Sequence, residues 1–215
     1  MISKVIGLGA GGHCKVVIEI LRLMPELNVI GLLDPCKELW GRKVMDIPVL
    51  GDDSLLPELY DKGVRQAFIG LGVITDTRPR QRLYQMARDA GFQIASAVHP
   101  HSTISISVRL GAGVTIMAGT VINACTTLGD NVIVNTGAVI EHDCLIADHV
   151  HIAPGAILAG NVCVGEGANV GMGACIRQGL KIGRHAVVGA GAMVVRDVPD
   201  DVVVAGVPAR IMKDA

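Results

Sequence analysis

From Ile104 to Val194 every sixth residue is aliphatic, sixteen positions in an unbroken series. Four residues after each comes a second apolar or small side chain, as at Val108, Val114, Ala138, Val150 and Ala168. Glycine often follows the aliphatic residue at once, as at Gly111, Gly129, Gly165, Gly171, Gly183 and Gly189. Neither a helix of 3.6 residues per turn nor a two-residue strand alternation keeps one aliphatic side chain at every sixth place while admitting glycine between. A parallel β-helix does. Three hexapeptides make one triangular coil of about eighteen residues, with each aliphatic side chain pointing into the prism and stacking on its equivalent in the next coil. The series predicts a little over five coils, each about 4.8 Å from the next, the spacing of neighbouring strands.

The first 98 residues have a different rhythm. KVIGLG, NVIGLLD, PVLG and QAFIGLG are apolar runs of strand length, as expected of a parallel sheet covered by helices on both faces. Three helical patterns lie between them: one with Lys15, Glu19, Arg22 and Glu26 on a polar stripe, then DSLLPELYDKG, then a stretch from about Thr77 to Ala90 with Pro79 in its first turn. DPCKELWGRK reads as a turn-rich link, and FQIASAV as the strand that closes the sheet. The fold expected is a Rossmann-like α/β domain over residues 1–98, followed over residues 99–215 by an all-β parallel β-helix with a C-terminal tail. Gly7, Gly9 and Gly12 have the G-x-G-x-x-G spacing between the first strand and helix, which suits phosphate at a helix N-terminus. About four strands supply only one of the two halves that seat a dinucleotide, so the motif carries no nicotinamide implication here.

Composition excludes several function classes. Nineteen basic residues against 20 acidic ones, with 2% aromatics, give neither a phosphate-tracking face nor a base-stacking platform, so no nucleic-acid partner is expected. Apolar stretches break before the roughly 20 residues of a membrane span, and the N-terminus reads as a first strand rather than a cleaved signal. A cytoplasmic protein is expected. The six cysteines form no C-x-x-C pair, which argues against zinc or a dithiol centre. Most are expected to be small buried thiols; Cys14 follows the glycine turn, where a helix N-terminus can activate a thiol, but no acylation or redox motif surrounds it, so an inert thiol is expected there too.

The segments GAGGHCKVV, NTGAVIEHDC, HIAPGA and AGVPAR together resemble the sugar-nucleotide acyltransferases, the hexapeptide-repeat group that includes sialic acid O-acetyltransferases and bacterial amino-sugar N-acetyltransferases. The likeness spans essentially the whole chain. It implies a left-handed β-helix, a rare exception to the right-handed crossover rule. It also implies a homotrimer that takes acetyl-CoA between subunits, and an N-terminal domain that holds the nucleotide of a sugar nucleotide. The function implied is acetyl-CoA-dependent N-acetylation of a UDP- or GDP-linked 4-amino-4,6-dideoxy sugar for bacterial surface glycans. O-acetylation of a sialic acid or related sugar, and a non-enzymatic nucleotide-sugar-binding trimeric scaffold, are the alternatives, because a fold alone does not choose a function.

His142, in IEHDC, follows Ile140 by two and so falls at a turn between faces of the prism. Its imidazole suits proton abstraction from an attacking amine or hydroxyl, with Asp143 or Glu141 to orient it. The resemblance places the family's base on His142 and its acidic partner on Asp143; taken alone, an H-D pair is more simply a solvated turn. Gly160 lies eighteen residues on, at the equivalent corner of the next coil. By resemblance its N–H is an oxyanion donor; otherwise it is a tight turn. The resemblance also puts Asn135 near the acceptor sugar and His151 near the acetyl end of CoA, although Asn in such a turn is common because it tolerates a left-handed backbone. Arg210 stands out among Lys181, Arg184, Arg196 and Lys213 as a CoA phosphate ligand. Gly9, Gly11, Gly12 and His13 are expected to cradle the nucleotide phosphates. By resemblance Asp34 accepts from the base, with uracil the base expected; otherwise it accepts from the ribose or merely shapes the Asp-Pro turn with Pro35. His149 and His185 are expected at the surface. The spacing of His142, His149 and His151 does not match a zinc triad, and no metal is expected.

Overall fold

The computed structural model describes the backbone of residues 2–214 and the side chains of residues 2–212. The chain divides into two compact units, Met1–Val73 with Pro79–Ala97, and Ile74–Arg78 with Val98–Ala215.

The first unit is built on β1 (Ser3–Leu8), β2 (Leu27–Leu33), β3 (Lys43–Val44), β4 (Ile47–Gly51), β5 (Gln66–Ile69) and β6 (Gln93–Ile94), in the order β3-β4-β2-β1-β5-β6. Neighbours are parallel except β3 and β4. That hairpin replaces part of the turn-rich link expected there. Met45 and Asp46, at φ 49° and 66°, form a two-residue reversal whose left-handed backbone matches the twist of paired strands. Helix α1 (Gly12–Arg22) buries Cys14, Val17, Ile18, Ile20 and Leu21 against the sheet. It stops short of Glu26 because Pro25 cannot continue a helix and disfavours helical backbone before it. Helices α2 (Leu56–Asp61) and α3 (Arg78–Asp89) complete the unit. FQIASAV is two strands rather than one: β6 pairs with β5, and Ala97–Val98 is separate, at the boundary between the units.

The second unit is the left-handed β-helix. Its strands are two residues long and lie on three faces. Face A carries Thr115–Ile116, Ile133–Val134, His151–Ile152, Asn169–Val170 and Val187–Val188. Face B carries Val121–Ile122, Val139–Ile140, Ile157–Leu158, Cys175–Ile176 and Met193–Val194. Face C carries Arg109–Leu110, Thr127–Leu128, Leu145–Ile146, Cys163–Val164 and Lys181–Ile182. The second residue of each strand is the periodic aliphatic one, and it points inward. Leu110 is the exception at 40% exposed, since face C has no strand beneath it. Each buried Ile, Leu or Val contributes about 1.5–3 kcal/mol, and each coil leans only on its neighbours. A charge at an inward position, as in Ile140→Asp, would split the stack.

Three residues after each aliphatic position, from residue 113 to 191, the backbone turns left-handed. Eight of these positions are glycine and six are Cys125, Asn131, Asp143, His149, Asn161 and His185. The glycines that directly follow the aliphatic residue serve a different purpose: at Gly129 a Cβ would lie 2.1 Å from Asp148 Oδ1 in the next coil. At the end of the helix Val202–Ala205 extends face A, and Arg210–Asp214 returns antiparallel to it.

Candidate active site

Turns between faces B and C stack coil on coil, as the bonds Asp143 N–H to Ala124 O, Asn161 N–H to His142 O and Gly179 N–H to Gly160 O record. The structure brings His142 and Gly160 into contact there. A Cβ on Gly160 would lie 2.6 Å from His142 Nε2 and 2.7 Å from its Cε1. The left-handed residue of that turn is Asn161, at φ 61°, so turn geometry does not require glycine at 160. What requires it is the ring. Ala159 N–H and Asn161 N–H donate to Ile176 O and His142 O, whereas Gly160 N–H has no acceptor among the described residues.

Asp143, rather than Glu141, takes the imidazole: its Oδ2 is 2.8 Å from His142 Nδ1. Its backbone is left-handed, at φ 60°, which a short acidic residue tolerates. Both side chains are about half exposed, at 53% and 58%. With Nδ1–H donated to the carboxylate, the lone pair of the neutral ring lies on Nε2, the atom beside Gly160. The corner thus holds a proton acceptor, its orienting carboxylate and an unpaired backbone donor.

Asn135 and His151 meet at a different corner, between faces A and B. Asn135 Nδ2 is 3.3 Å from His151 Nε2, and Asn135 Oδ1 accepts from Thr136 N–H at 2.8 Å. The left-handed residue of this turn is Gly137, so backbone conformation does not account for asparagine at 135. His151 projects from face A yet is only 5% exposed. A single chain therefore carries the two pairs at opposite edges of face B, whose outward column starts at Thr103 and continues through the apolar Val121, Val139, Ile157, Cys175 and Met193. His149, half-buried rather than fully at the surface, lies 3.0 Å from Asn131 Nδ2. No group of three or more His, Cys, Asp or Glu able to hold a metal occurs among the described residues.

In the first unit the glycine turn follows the C-terminal end of β1, the edge where open parallel sheets receive ligands. Gly9 is left-handed, at φ 99°, and a Cβ there would meet Leu71 N at 3.0 Å. Around Gly11 and Gly12 a Cβ would meet nothing within 4 Å, so packing does not demand glycine at either. Open space beside the first N–H groups of α1 suits an anion. His13 packs on Gly72, where a Cβ would lie 2.9 Å from the His13 Cβ. Asp34 is committed to shaping the turn: Oδ2 accepts from Ala10 N–H at 2.8 Å and Oδ1 from Cys36 N–H at 2.9 Å. It nonetheless borders a cavity of about 410 Å³, together with Gly9, Asp53, Leu71, Arg82 and Met86.

The late basic residues fall at two places rather than one: Lys181 and Arg184 line one cavity, and Arg196 and Arg210 another. Arg184 pairs with Asp200 at 3.0 Å, Arg210 is exposed with Nη1 on Ala209 O, and the Lys213 side chain lies outside the described residues. Only Cys14 and Cys144 of the six cysteines are buried, because outward strand and turn positions take thiols as readily as inward ones. Cys14 is not an activated thiol: burial, with a smaller contribution from Asp34, pushes its pKa up to about 12.

Two residues of this unit escaped the sequence reading. Arg80, fully buried, donates to Ile69 O and Leu71 O at the end of β5. Asp53 opens the turn after β4; an acidic residue just past an apolar strand was the available signal.

Residues 4–87 match the PglD N-terminal domain family, and residues 107–142 and 126–160 match the bacterial transferase hexapeptide (six repeats) family. No curated protein sequence matches the chain. Among solved structures, a histidine-to-asparagine mutant of perosamine N-acetyltransferase from Caulobacter crescentus, in complex with CoA and GDP-perosamine, is 46% identical with a TM-score of 0.92 over 100% of this chain and 99% of its own. The acetyltransferase domain of PglB from Neisseria gonorrhoeae, in complex with acetyl coenzyme A, is 38% identical with a TM-score of 0.90 over 99% of this chain and 100% of its own. WeeI from Acinetobacter baumannii is 28% identical with a TM-score of 0.83 over 98% and 100%. Likeness of this degree over the full length, with both family matches in their expected order, shows that the chain belongs to the sugar-nucleotide acyltransferase family of left-handed β-helix hexapeptide-repeat proteins.

Proposed function

We propose that this chain is an acetyl-CoA-dependent N-acetyltransferase acting on the amino group of a nucleotide-linked 4-amino-4,6-dideoxy sugar for bacterial surface glycans. The observation that carries the reading is the corner where His142, Asp143 and Gly160 meet, on a chain 46% identical to a perosamine N-acetyltransferase held with CoA and GDP-perosamine. The acceptor amine attacks the thioester carbonyl, its proton passes to His142 Nε2, and the C–S bond breaks to release CoA, whose sulfur takes the proton from the imidazole. Asp143 holds the ring in the tautomer with Nε2 unprotonated and stabilises the imidazolium that forms. Gly160 N–H donates to the oxygen that gains charge as the carbonyl becomes tetrahedral.

Residues 1–98 would seat the nucleotide, with Gly9, Gly11, Gly12 and His13 at its phosphates and Asp34 holding the turn in shape. The β-helix would take acetyl-CoA, with Arg210 toward its phosphates. Homotrimer formation is supported by the apolar column on face B. Threefold packing of that face sets the His142 edge of one chain against the Asn135 and His151 edge of the next, and so completes a site that one chain leaves divided.

The test is CoA release from acetyl-CoA with a panel of UDP- and GDP-linked amino sugars. Release with an amino sugar, and mass spectrometry of an N-acetylated product, is the expected result. Release only with a sialic acid would make the protein an O-acetyltransferase; acetyl-CoA binding without release for any acceptor would make it a scaffold.

A further inference from the structure

Two carboxylates border the cavity at the C-terminal edge of the first unit's sheet, and their circumstances differ. Both oxygens of Asp34 already accept backbone N–H groups, from Ala10 and from Cys36. Asp53 is half-buried, yet its carboxylate takes no hydrogen bond or ion pair among the described residues. Its neighbour Asp52 is the one that accepts from Ser54 N–H and Oγ–H. Burial first, then Asp52 and Asp34, raise the Asp53 pKa. An uncompensated carboxylate in such a place is costly unless donors arrive. The remaining walls, Pro35, Leu71, Pro79, Leu83 and Met86, are apolar, as a planar base requires, and Arg82 adds a cationic donor on the rim.

Donor count discriminates among bases. The Watson–Crick edge of guanine presents N1–H and the exocyclic N2–H₂ side by side, two donors that match the two oxygens of one carboxylate. Uracil presents a single N3–H between two carbonyl oxygens, so the second carboxylate oxygen would face an acceptor. We infer that Asp53 is the base-reading residue of this site, pairing with N1–H and N2–H₂ of guanine, and that the nucleotide sugar taken is therefore a guanosine diphosphate derivative. Asp34 shapes the turn, and Asp53 selects the base. The inference rests on the reading that this cavity seats the nucleotide of a sugar nucleotide.

Calorimetric titration of the full-length protein with GDP, UDP and xanthosine diphosphate (XDP) tests it. XDP keeps the purine ring but carries a carbonyl where guanine has its amine. The wild type is expected to bind GDP about tenfold or more tighter than either of the others, the scale of one hydrogen bond to a charged group. Asp53→Asn, which offers an N–H donor in place of one oxygen, is expected to reverse the order of GDP and XDP while leaving acetyl-CoA binding unchanged. A wild type that binds GDP and XDP equally, or an Asp53→Asn protein that keeps the wild-type order, would overturn the role of Asp53 and leave the proposed activity standing. A wild type that binds acetyl-CoA but no nucleoside diphosphate would overturn the nucleotide reading itself, and this inference with it. A wild type that binds XDP or UDP as tightly as GDP overturns the inference even if the variant does not fold.

Discussion

The imidazole of His142 occupies the space that a side chain on Gly160 would need, with Nε2 2.6 Å from where the Cβ would lie. Gly160→Ala should therefore push the ring off its position while the turn, whose left-handed residue is Asn161, keeps its backbone. Misplacement of a catalytic group by about 1 Å costs roughly 10²-fold. We expect kcat/KM to fall by about that factor with the melting temperature nearly unchanged. In a His142→Ala background the same substitution should cost much less, since neighbouring sites that act through one another are non-additive. An equal loss in both backgrounds would mean that Gly160 acts independently of the ring.

Space around the glycine turn makes a second prediction. Because a Cβ at Gly11 meets nothing within 4 Å, Gly11→Leu should cost no more than about 1 kcal/mol, the scale of replacing a favoured N-cap residue of α1. The leucine would fill the room in front of the first N–H groups of α1, so affinity for a nucleoside diphosphate should drop about tenfold or more. Unchanged affinity, read by calorimetry, would place the phosphates elsewhere.

Cys14 couples the first unit to alkaline pH. Its pKa rises from an ordinary 9.0 to about 12 in the fold, chiefly through burial. Between those values the unfolded chain loses the proton and the folded chain keeps it. The stabilisation is complete below pH 9 and is lost as pH rises toward 12. Thermal melting from pH 8 to 11 should show a decline that is shallower in Cys14→Ala. Thiol titration of the native protein should label the exposed Cys36 and Cys125 first and leave Cys14 unreacted.

Arg80 is fully buried and spans two carbonyls, Ile69 O at 2.8 Å and Leu71 O at 2.7 Å. Burial pulls its pKa down, and both carbonyls take their hydrogen bonds from Nη1. Arg80→Met would strand them, at about 1–3 kcal/mol for each unsatisfied group. Denaturant melts should show a loss on that scale, and nucleotide binding should weaken, because Leu71 borders the cavity and touches Gly9.

The sixfold period made the β-helix legible, because only one side chain in six must be aliphatic and each such residue declares itself. His142 and Gly160 were legible as a pair for the same reason: eighteen residues is one coil. Sequence spacing did not reveal that Gly160 is glycine because of the ring, nor that Asn135 owes nothing to a left-handed backbone. Those reasons lie in which turn position is left-handed, and glycine and asparagine alone do not mark it. The Met45–Asp46 hairpin stayed hidden because neither residue is the glycine or asparagine that such reversals favour. Asp34 and Asp53 look alike in sequence; only their hydrogen bonds distinguish the committed carboxylate from the unpaired one.

Proposed proton transfer from the attacking amine to His142 is tested by the turnover of His142→Ala with acetyl-CoA and a nucleotide-linked amino sugar, beside the affinity of the variant for acetyl-CoA. A lost general base lowers turnover by roughly 10² to 10⁴, and acetyl-CoA affinity should stay near wild type. Wild-type turnover in that variant would contradict the account.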